Sequence, residues 1–217
     1  VISGYLEHLT EEGGLDHKET SQKMLETMDR HLVRINRIVD DMLLISKLES
    51  DDSVPLNLAP FSIATCVQDV IERLDLVIKK QRSTIKVDVP NIQLIGDHFY
   101  WTQILFNLVE NALKQNPEMQ LQIHIYSELD QDDNFKIHIA DNGIGIPAND
   151  LPFIFKRFYR VEKHHSQTQV KGTGLGLSIV KRAIEAHGGT ITATSTPGIK
   201  TVFSIGIPHA YHDMNND

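Results

Sequence analysis

The chain has 217 residues, of which 41% are hydrophobic and 23% are charged, the composition of an ordinary soluble globular protein. Its 21 lysines and arginines stand against 29 aspartates and glutamates, and the formal charge of −8 argues against nucleic acid as a partner. No apolar run approaches the roughly 20 residues that span a bilayer, so no membrane contact is expected of these residues.

Residues 1 to about 50 are predicted to form a helix, a turn and a longer helix. The first helix, at 1–9, ends at a breaker of two glutamates and two glycines at 11–14. The second, at 19–48, carries apolar residues spaced by 4, 3, 4 and 3 positions: Met28, Leu32, Ile35, Val39 and Met42. This heptad seam and a second apolar stripe favour an intermolecular helix bundle. An amphipathic helix lying on the following domain is the alternative.

A polar segment with a proline, at 51–55, marks the boundary to a second domain. Beyond it, strands are predicted at 84–89, 92–95, 121–127, 135–140, 190–195 and 201–207, and helices at 63–80, after Asp97 as N-cap, and at 175–187. The order predicts an α+β fold, in which a helical hairpin precedes an α/β sandwich with a mixed sheet and helices on one face. The predicted domains are 1–52, 53–208 and a C-terminal tail at 209–217. The single cysteine, Cys66, is predicted to be a buried thiol on the first of these helices.

Three polar side chains share one face of the helix that Asp97 is predicted to cap. Asn107, Asn111 and Lys114 are spaced i, i+4 and i+7, and apolar or small residues cover the rest of the helix surface. An amide oxygen is a suitable ligand for Mg²⁺ and a lysine can bind phosphate, so this face suits a metal triphosphate. By itself, such a stripe is more often a solvated helix face.

Two glycine-rich loops follow the polar stripe. The first glycine loop, DNGIGIP at 141–147, comes after a predicted strand and permits the close approach of a flat ligand lined by isoleucines. The second glycine loop, GTGLGL at 172–177, opens a helix, where backbone amides and the helix N-terminus suit phosphate oxygens. Each pattern alone is weak, because Asp-Asn-Gly is commonly a turn and GxGxG also occurs in Rossmann and protein-kinase loops. A late position without a βαβ unit argues against the Rossmann alternative.

Residues 155–171 lie between the glycine loops and are predicted to form a mobile lid. Its near end is expected to be tethered by three aromatic residues: Phe155, Phe158 and Tyr159. A guanidinium can stabilise charge on a transferred phosphoryl group, so Arg160, and after it Arg157, is predicted to contact the γ-phosphate. The alternative is that these arginines lie on a solvated loop without a specific role. For His164 and His165, a solvated loop is preferred over a metal site.

In order and spacing, four segments of this chain resemble the N, G1, F and G2 boxes of the ATP-binding domain of bacterial sensor histidine kinases. They are NLVENALK at 107–114, DNGIGIP at 141–147, FKRFYR at 155–160 and GTGLGL at 172–177. Each box alone is ambiguous, but four in this order leave little room for chance. The resemblance therefore implies a nucleotide site.

The resemblance assigns particular roles at that site, with ATP and Mg²⁺ as its ligands. Asn111 is implied as the Mg²⁺ ligand, and Asp141 as the acceptor of the adenine amino group. The implied catalytic residues are Lys114, Arg160 and Arg157. The implied nucleotide contacts are Asn107, Asn111, Lys114, Asp141, Gly143, Gly145, Ile146, Tyr159, Arg160, Gly172, Thr173, Gly174, Leu175, Gly176, Leu177 and Thr201.

The activity implied by the resemblance is that of a protein histidine kinase. Such an enzyme transfers the γ-phosphoryl group of ATP to a histidine, for relay to an aspartate in the receiver domain of a response regulator. The implied intact protein is a homodimer anchored in the bacterial inner membrane, with these residues in the cytoplasm. The opening VISGYLE, with FYRV at 158–161, is most similar to phosphate-regulon sensor kinases and implies phosphate-starvation signalling.

The phosphoaccepting histidine of the family is expected to lie before Val1. His8, His17 and His31 lack the acid and the proline that follow that histidine in the family, so the chain alone is not expected to autophosphorylate. The shortened hairpin at 1–52 is correspondingly expected to be part of a dimerisation and phosphotransfer bundle.

Two other functions fit parts of the sequence. ATPases of the gyrase and chaperone type carry a glutamate where Asn107 stands, and an amide cannot act as the general base that activates water. Glu110 is a weaker candidate base, because it projects about 100° away from Asn111 around the helix. The second rival is a non-catalytic module that binds a regulator and keeps the nucleotide as a structural ligand.

Two departures from the family pattern qualify the resemblance. Gln115 stands where an aromatic residue is frequent near the adenine, which predicts weaker affinity. The segment GIKT at 198–201 lacks the second glycine of the family's usual turn, which predicts an altered final turn.

Overall fold

The computed structural model describes residues 18–49, 56–116, 120–129, 134–161, 172–208 and 211–212. The chain divides into two compact units, residues 1–44 and 45–217. Helix α1 (Lys18–Glu49) supplies the described part of the first unit, and its end, from residue 45, belongs to the second. The predicted helix at 1–9 lies outside the described residues.

The apolar stripe of α1 is largely solvent-exposed. About half of the surface of each of these side chains is accessible: Leu25, Leu32, Ile35, Val39 and Met42. Met28, which begins the predicted seam, is buried instead. The helix itself is confirmed, whereas the intermolecular bundle and the domain boundary at residue 52 stay predictions.

Five strands of the second unit form a mixed sheet in the order β2-β4-β5-β7-β6. They are β2 (Thr84–Asp88), β4 (Gln122–Leu129), β5 (Phe135–Asp141), β6 (Thr190–Thr196) and β7 (Lys200–Ile207). Strands β2 and β4 are parallel, and the other neighbouring pairs are antiparallel. The predicted mixed sheet is therefore confirmed.

A second, smaller sheet was not predicted. It is antiparallel, in the order β1-β3-β8, and consists of β1 (Ala59–Ser62), β3 (Gln93–Gly96) and β8 (Tyr211–His212). Strand β1 has four residues, one of them a proline, so its sequence is too short to show an alternating pattern. Its pairing with β3 depends on residues more than thirty positions away.

Three helices pack with the large sheet in the second unit: α2 (Ile63–Gln81), α3 (His98–Gln115) and α4 (Gly176–Ala186). Ile125 and Ile137 of the sheet belong to one buried cluster with Leu108 of α3 and Ile184 of α4. Most alternate residues of the strands, such as His124, are at least partly exposed, although His138 is buried. The predicted sandwich, with helices on one face, is confirmed. None of the described helices is both long and apolar enough to cross a membrane.

Side-chain caps fix where two of these helices begin. The Ser62 hydroxyl accepts from the Thr65 N–H at 3.2 Å, and Asp97 Oδ1 accepts from Phe99 N–H at 3.0 Å. The predicted N-cap at Asp97 is thereby confirmed. Cys66 is fully buried on α2, as predicted, and burial raises the pKa of its thiol.

Candidate functional site

A buried carboxylate marks one end of the candidate site. Asp141 is the last residue of β5, is paired in register with Thr201 of β7, and is only 8% exposed. Its Oδ1 accepts from the Gly143 N–H at 2.9 Å, and no other described residue hydrogen-bonds to it. Burial raises the pKa of this carboxyl, and the Gly143 N–H partly opposes that rise. The second carboxylate oxygen can therefore accept from a ligand.

The first glycine loop, at 141–147, is held tightly against the rest of the second unit. Gly145 has φ +73°, and a Cβ at that position would lie 2.6 Å from Pro197 Cα, so only glycine fits without strain. The Ile146 N–H donates to Ser195 Oγ at 2.8 Å, and Ser195 Oγ lies 3.0 Å from Thr201 Oγ1. Strands β6 and β7 thus position both the loop and the buried Asp141.

Asn116 is a residue of this site that the sequence analysis missed. It follows α3, is 4% exposed, and donates through Nδ2 to the Ala112 carbonyl at 2.8 Å. Its Oδ1 accepts from the Ile144 N–H at 2.8 Å, and a Cβ on Gly143 would lie 2.4 Å from Nδ2. The one available signal was a polar residue at the end of the helix that carries the N motif.

One residue of the polar stripe of α3, Asn107, lies at the other end of the site. Asn107 is 8% exposed, and a Cβ on Gly176, the first residue of α4, would lie 3.4 Å from Asn107 Oδ1. Asn111 is half-buried, and no described residue hydrogen-bonds to either asparagine side chain. Lys114 Nζ instead lies 2.7 Å from Glu110 Oε1, one helical turn away. The amides are thus available to a ligand, whereas the lysine has a carboxylate partner.

The second glycine loop, at 172–177, is held to the near end of the predicted lid, at Phe158. Gly174 has φ +75°, its carbonyl accepts from the Phe158 N–H at 2.9 Å, and a Cβ there would lie 2.8 Å from Phe158 Cα. The Leu175 N–H bonds to Thr173 Oγ1 at 3.2 Å, and Leu175 is fully buried. Around Gly172, a Cβ would meet no described residue within 4 Å. The loop therefore leads into α4 beside Asn107.

The aromatic residues of the F segment differ from expectation at one position. Phe155 packs on Phe203 with ring centroids 6.3 Å apart, and the Tyr159 hydroxyl donates to Asp150, as expected for tethers. The Phe158 side chain is 56% exposed, so the predicted tether through its ring is wrong. Its backbone makes the attachment instead, through Gly174.

The arginines of this segment occupy two different settings. Arg157 forms an ion pair with Glu49, the last residue of α1, and Arg160 is exposed near the end of the described segment. Hydrogen bonding from Arg157, together with the charges of Arg157 and Arg182, holds the pKa of the Glu49 carboxyl below its usual range. Residues 162–171 of the predicted lid, with His164 and His165, lie outside the described residues.

Among the described residues, no group of three histidine, cysteine or carboxylate side chains could hold a metal ion. The amide oxygen of Asn111, the predicted Mg²⁺ ligand, is the kind of donor that a hard cation prefers. A Mg²⁺ ion commonly binds proteins through one or two ligands and takes the rest from phosphates and water. The donor chemistry therefore fits Mg²⁺ carried by a nucleotide rather than by a protein cage.

Profiles of two families match this chain. The family described as histidine kinase-, DNA gyrase B-, and HSP90-like ATPase matches residues 96–211, and the His Kinase A (phospho-acceptor) domain matches residues 1–51. Sensor histidine kinase WalK of Bacillus subtilis is 34% identical over 214 residues, covering 96% of this chain and 34% of WalK. The chain thus spans about a third of the length of that relative.

Two solved structures share the fold over nearly the whole chain. Full-length ShkA in complex with AMPPNP is 25% identical with a TM-score of 0.72, over 91% of this chain and 40% of ShkA. Histidine kinase ThkA in complex with the response regulator protein TrrA is 25% identical with a TM-score of 0.73, over 95% of this chain and 56% of the other. By both family profiles and by these likenesses, the chain belongs to the sensor histidine kinases of two-component systems, with an ATPase domain of the histidine kinase, gyrase B and HSP90 type.

Proposed function

We propose that the second unit binds ATP with Mg²⁺ in a cleft along α3, between the two glycine loops. The observation that carries this proposal is that α3 touches both loops. Asn116 contacts the first glycine loop beside Asp141, and Asn107 lies against Gly176 at the start of α4. Asn116 comes nine positions after Asn107, a rise of roughly 14 Å along the helix axis, comparable with the span of an extended nucleoside triphosphate.

The Asp141 end is the proposed adenine pocket. A carboxylate accepts hydrogen bonds and cannot donate them, so it selects the amino group of adenine over the carbonyl that guanine carries there. Thr201, held by Ser195, lies opposite Asp141 and supports this end of the base. Gly143, Gly145 and Ile146 give the base a close and partly apolar wall.

The proposed phosphate pocket lies where the second glycine loop meets α4. The backbone from Gly172 to Leu177 and the N-terminus of α4 face the phosphates with N–H groups and partial positive charge. Asn111, one helical turn after Asn107, would hold the Mg²⁺ ion, which would supply electrostatic stabilisation of the phosphate charge. The ShkA complex with AMPPNP supports nucleotide binding by this fold.

The proposed reaction is transfer of the γ-phosphoryl group to a histidine of a phospho-acceptor domain. A ring nitrogen forms the new bond to phosphorus, the bond from phosphorus to the bridging oxygen breaks, and ADP leaves with that electron pair. Lys114, Arg160 and Arg157 are the cations proposed to stabilise the transferred charge, and Tyr159 to border the site. An amide at position 107 cannot activate water, which favours transfer over hydrolysis.

The partners proposed for the intact protein follow the same family. A response-regulator receiver domain accepts the phosphoryl group, and the ThkA complex with TrrA supports a partner of this kind. The exposed apolar stripe of α1 supports a homodimeric helix bundle. A cytoplasmic kinase core under a membrane-anchored sensor completes the proposal and follows from the family resemblance. Signalling of phosphate starvation depends on the likeness of VISGYLE at 1–7 and FYRV at 158–161.

Calorimetric titration of ATP, with and without Mg²⁺ and with GTP as the control, tests the nucleotide site. We expect binding that requires adenine and is strengthened by Mg²⁺. Labelled ATP is then supplied to the chain alone and to a mixture with a protein that carries the family's phosphoaccepting histidine. Transfer to that histidine, without label on His8, His17 or His31, supports the kinase, whereas binding without transfer supports a non-catalytic module.

A further inference from the structure

The carboxylate that ends α1 is shared by two arginines from distant parts of the second unit. Glu49 pairs with Arg157, which precedes the second glycine loop in sequence, and Arg182 Nε of α4 lies 2.9 Å from Glu49 Oε1. The last turn of α1 is anchored in this unit, because Ile45 is 3% exposed and Leu48 packs on the core. Glu49 therefore joins the end of α1 to α4 and to the segment that contains Arg157.

The Arg157 pair sits at a strained backbone junction. The next residue, Phe158, has φ +60°, a conformation that costs a non-glycine residue energy, and it donates its N–H to the Gly174 carbonyl. Movement of Arg157 would therefore act directly on the segment that contacts Gly174, two residues before Gly176. Strain of this kind commonly marks a place where a change of state is built into the chain.

The two arginines differ in how easily they can leave Glu49. Arg182 also lies 3.1 Å from Glu185 on its own helix and is fixed by α4, whereas Arg157 belongs to a segment without regular secondary structure. If Arg157 departs, the Glu49 carboxylate keeps Arg182 as a partner and no charge is left unpaired. The exchange of Arg157 from Glu49 to another anion is thus inexpensive.

We propose that Glu49 is a positioning residue that holds Arg157 in the ligand-free chain and releases it to the terminal phosphate of a nucleoside triphosphate. The proposal rests on the nucleotide site proposed above. By linkage, displacement of the α1 terminus changes how readily Arg157 reaches the phosphate, and triphosphate binding loosens that terminus in return. Glu49 thereby couples the helix to the chemistry of the nucleotide site.

The test compares the affinities of ATP and ADP, measured by calorimetry with Mg²⁺, for the wild-type chain and for Glu49→Gln. ADP lacks the phosphate that competes for Arg157, so Glu49→Gln is expected to tighten ATP about two- to five-fold and to leave ADP unchanged. Glu185→Gln is the matched control, since it removes the other carboxylate beside Arg182 and leaves Arg157 paired. It is expected to leave the ratio of ATP to ADP affinity unchanged.

A double variant separates this role from a general effect on the loops. In an Arg157→Gln background, Glu49→Gln is expected to lose its effect on the ATP to ADP ratio, because the arginine it controls is gone. Unchanged or weakened ATP binding by Glu49→Gln, or equal tightening of ATP and ADP, would overturn the proposal. Failure of the wild-type chain to bind either nucleotide would instead refute the nucleotide site itself, and Glu49 with it.

Discussion

Replacing Asp141 by asparagine is expected to stabilise the free protein while weakening its binding of ATP. Asp141 is 8% exposed, and its carboxylate receives a single described hydrogen bond, from the Gly143 N–H at 2.9 Å. An asparagine oxygen can accept the same bond, and the neutral amide avoids the cost of holding a buried charge. From that difference we expect a gain of about 1–2 kcal/mol, or roughly 2–8 °C in Tm.

The stability difference between the two chains has a defined dependence on pH. Burial raises the pKa of Asp141 in the folded chain, so between the unfolded and folded values the folded state binds more protons. The wild-type chain therefore loses stability as the pH rises through the folded pKa, whereas the asparagine does not titrate. The advantage of Asp141→Asn is expected to be complete above the folded pKa and to vanish below the ordinary aspartate pKa of about 3.9.

The nucleotide affinity is expected to change in the opposite direction. A hydrogen bond to a charged group contributes about 1.5–3 kcal/mol, so Asp141→Asn should weaken ATP roughly 10- to 150-fold. Thermal unfolding across the acidic range gives the stability difference, and calorimetric titration gives the affinity. Asp88→Asn, on the exposed part of β2, is the matched control and is expected to leave ATP affinity unchanged. A less stable Asp141→Asn at neutral pH would refute the burial reasoning, and unchanged ATP affinity would refute the adenine role.

Two substitutions test how the first glycine loop is held. Gly145→Ala introduces a Cβ 2.6 Å from Pro197 Cα at φ +73° and is expected to destabilise the chain by about 1–3 kcal/mol, whereas Gly172→Ala should leave the Tm unchanged. Asn116→Ala leaves the Ile144 N–H without its acceptor and is expected to cost about 1–3 kcal/mol and to weaken ATP binding. For Gly145→Ala or Asn116→Ala, a Tm equal to that of the wild-type chain in unfolding experiments would contradict the contacts described.

Most regular elements of the second unit could be predicted because they are local. The i, i+4 and i+7 spacing of Asn107, Asn111 and Lys114 lies on one helix, and the cap at Asp97 bonds to residues two and three positions on. The spacing of apolar residues in a helix or an alternating strand is visible within a short stretch of sequence, so the element can be located without knowledge of the fold.

The contacts that assemble the site could not be predicted from the sequence, because they join residues that are distant in sequence. Asn116 meets Ile144 across 28 positions, and Glu49 meets Arg157 across 108. In both pairs, the sequence around one residue contains no pattern that predicts its contact with the other. Phe158 is a case in which residue type misled the prediction. An aromatic side chain is expected to pack in the core, yet here the backbone of Phe158 is held by Gly174 and its ring is exposed.

The question of hydrolysis against transfer turns on Glu110, the carboxylate on α3 next to Asn111. Glu110 Oε1 lies 2.7 Å from Lys114 Nζ, and its position around the helix directs it about 100° away from Asn111. A general base must reach the water that attacks phosphorus, and a carboxylate engaged by an ammonium is a weaker base. Glu110→Gln is therefore expected to leave the slow hydrolysis of ATP unchanged and to lower stability by no more than about 0.5 kcal/mol.

Glu185→Gln is the matched control for that substitution, because Lys181 and Glu185 form an i,i+4 pair with the same spacing on α4. Hydrolysis is followed by phosphate release, and transfer by label on a supplied acceptor histidine. Removal of a general base typically costs a factor of about 10²–10⁴ in rate. A loss of that size in Glu110→Gln alone, with ATP affinity retained, would show that Glu110 activates water and that this chain is closer to a hydrolytic ATPase. Equal rates of ATP hydrolysis in Glu110→Gln and Glu185→Gln would support an acceptor histidine, rather than water, as the nucleophile.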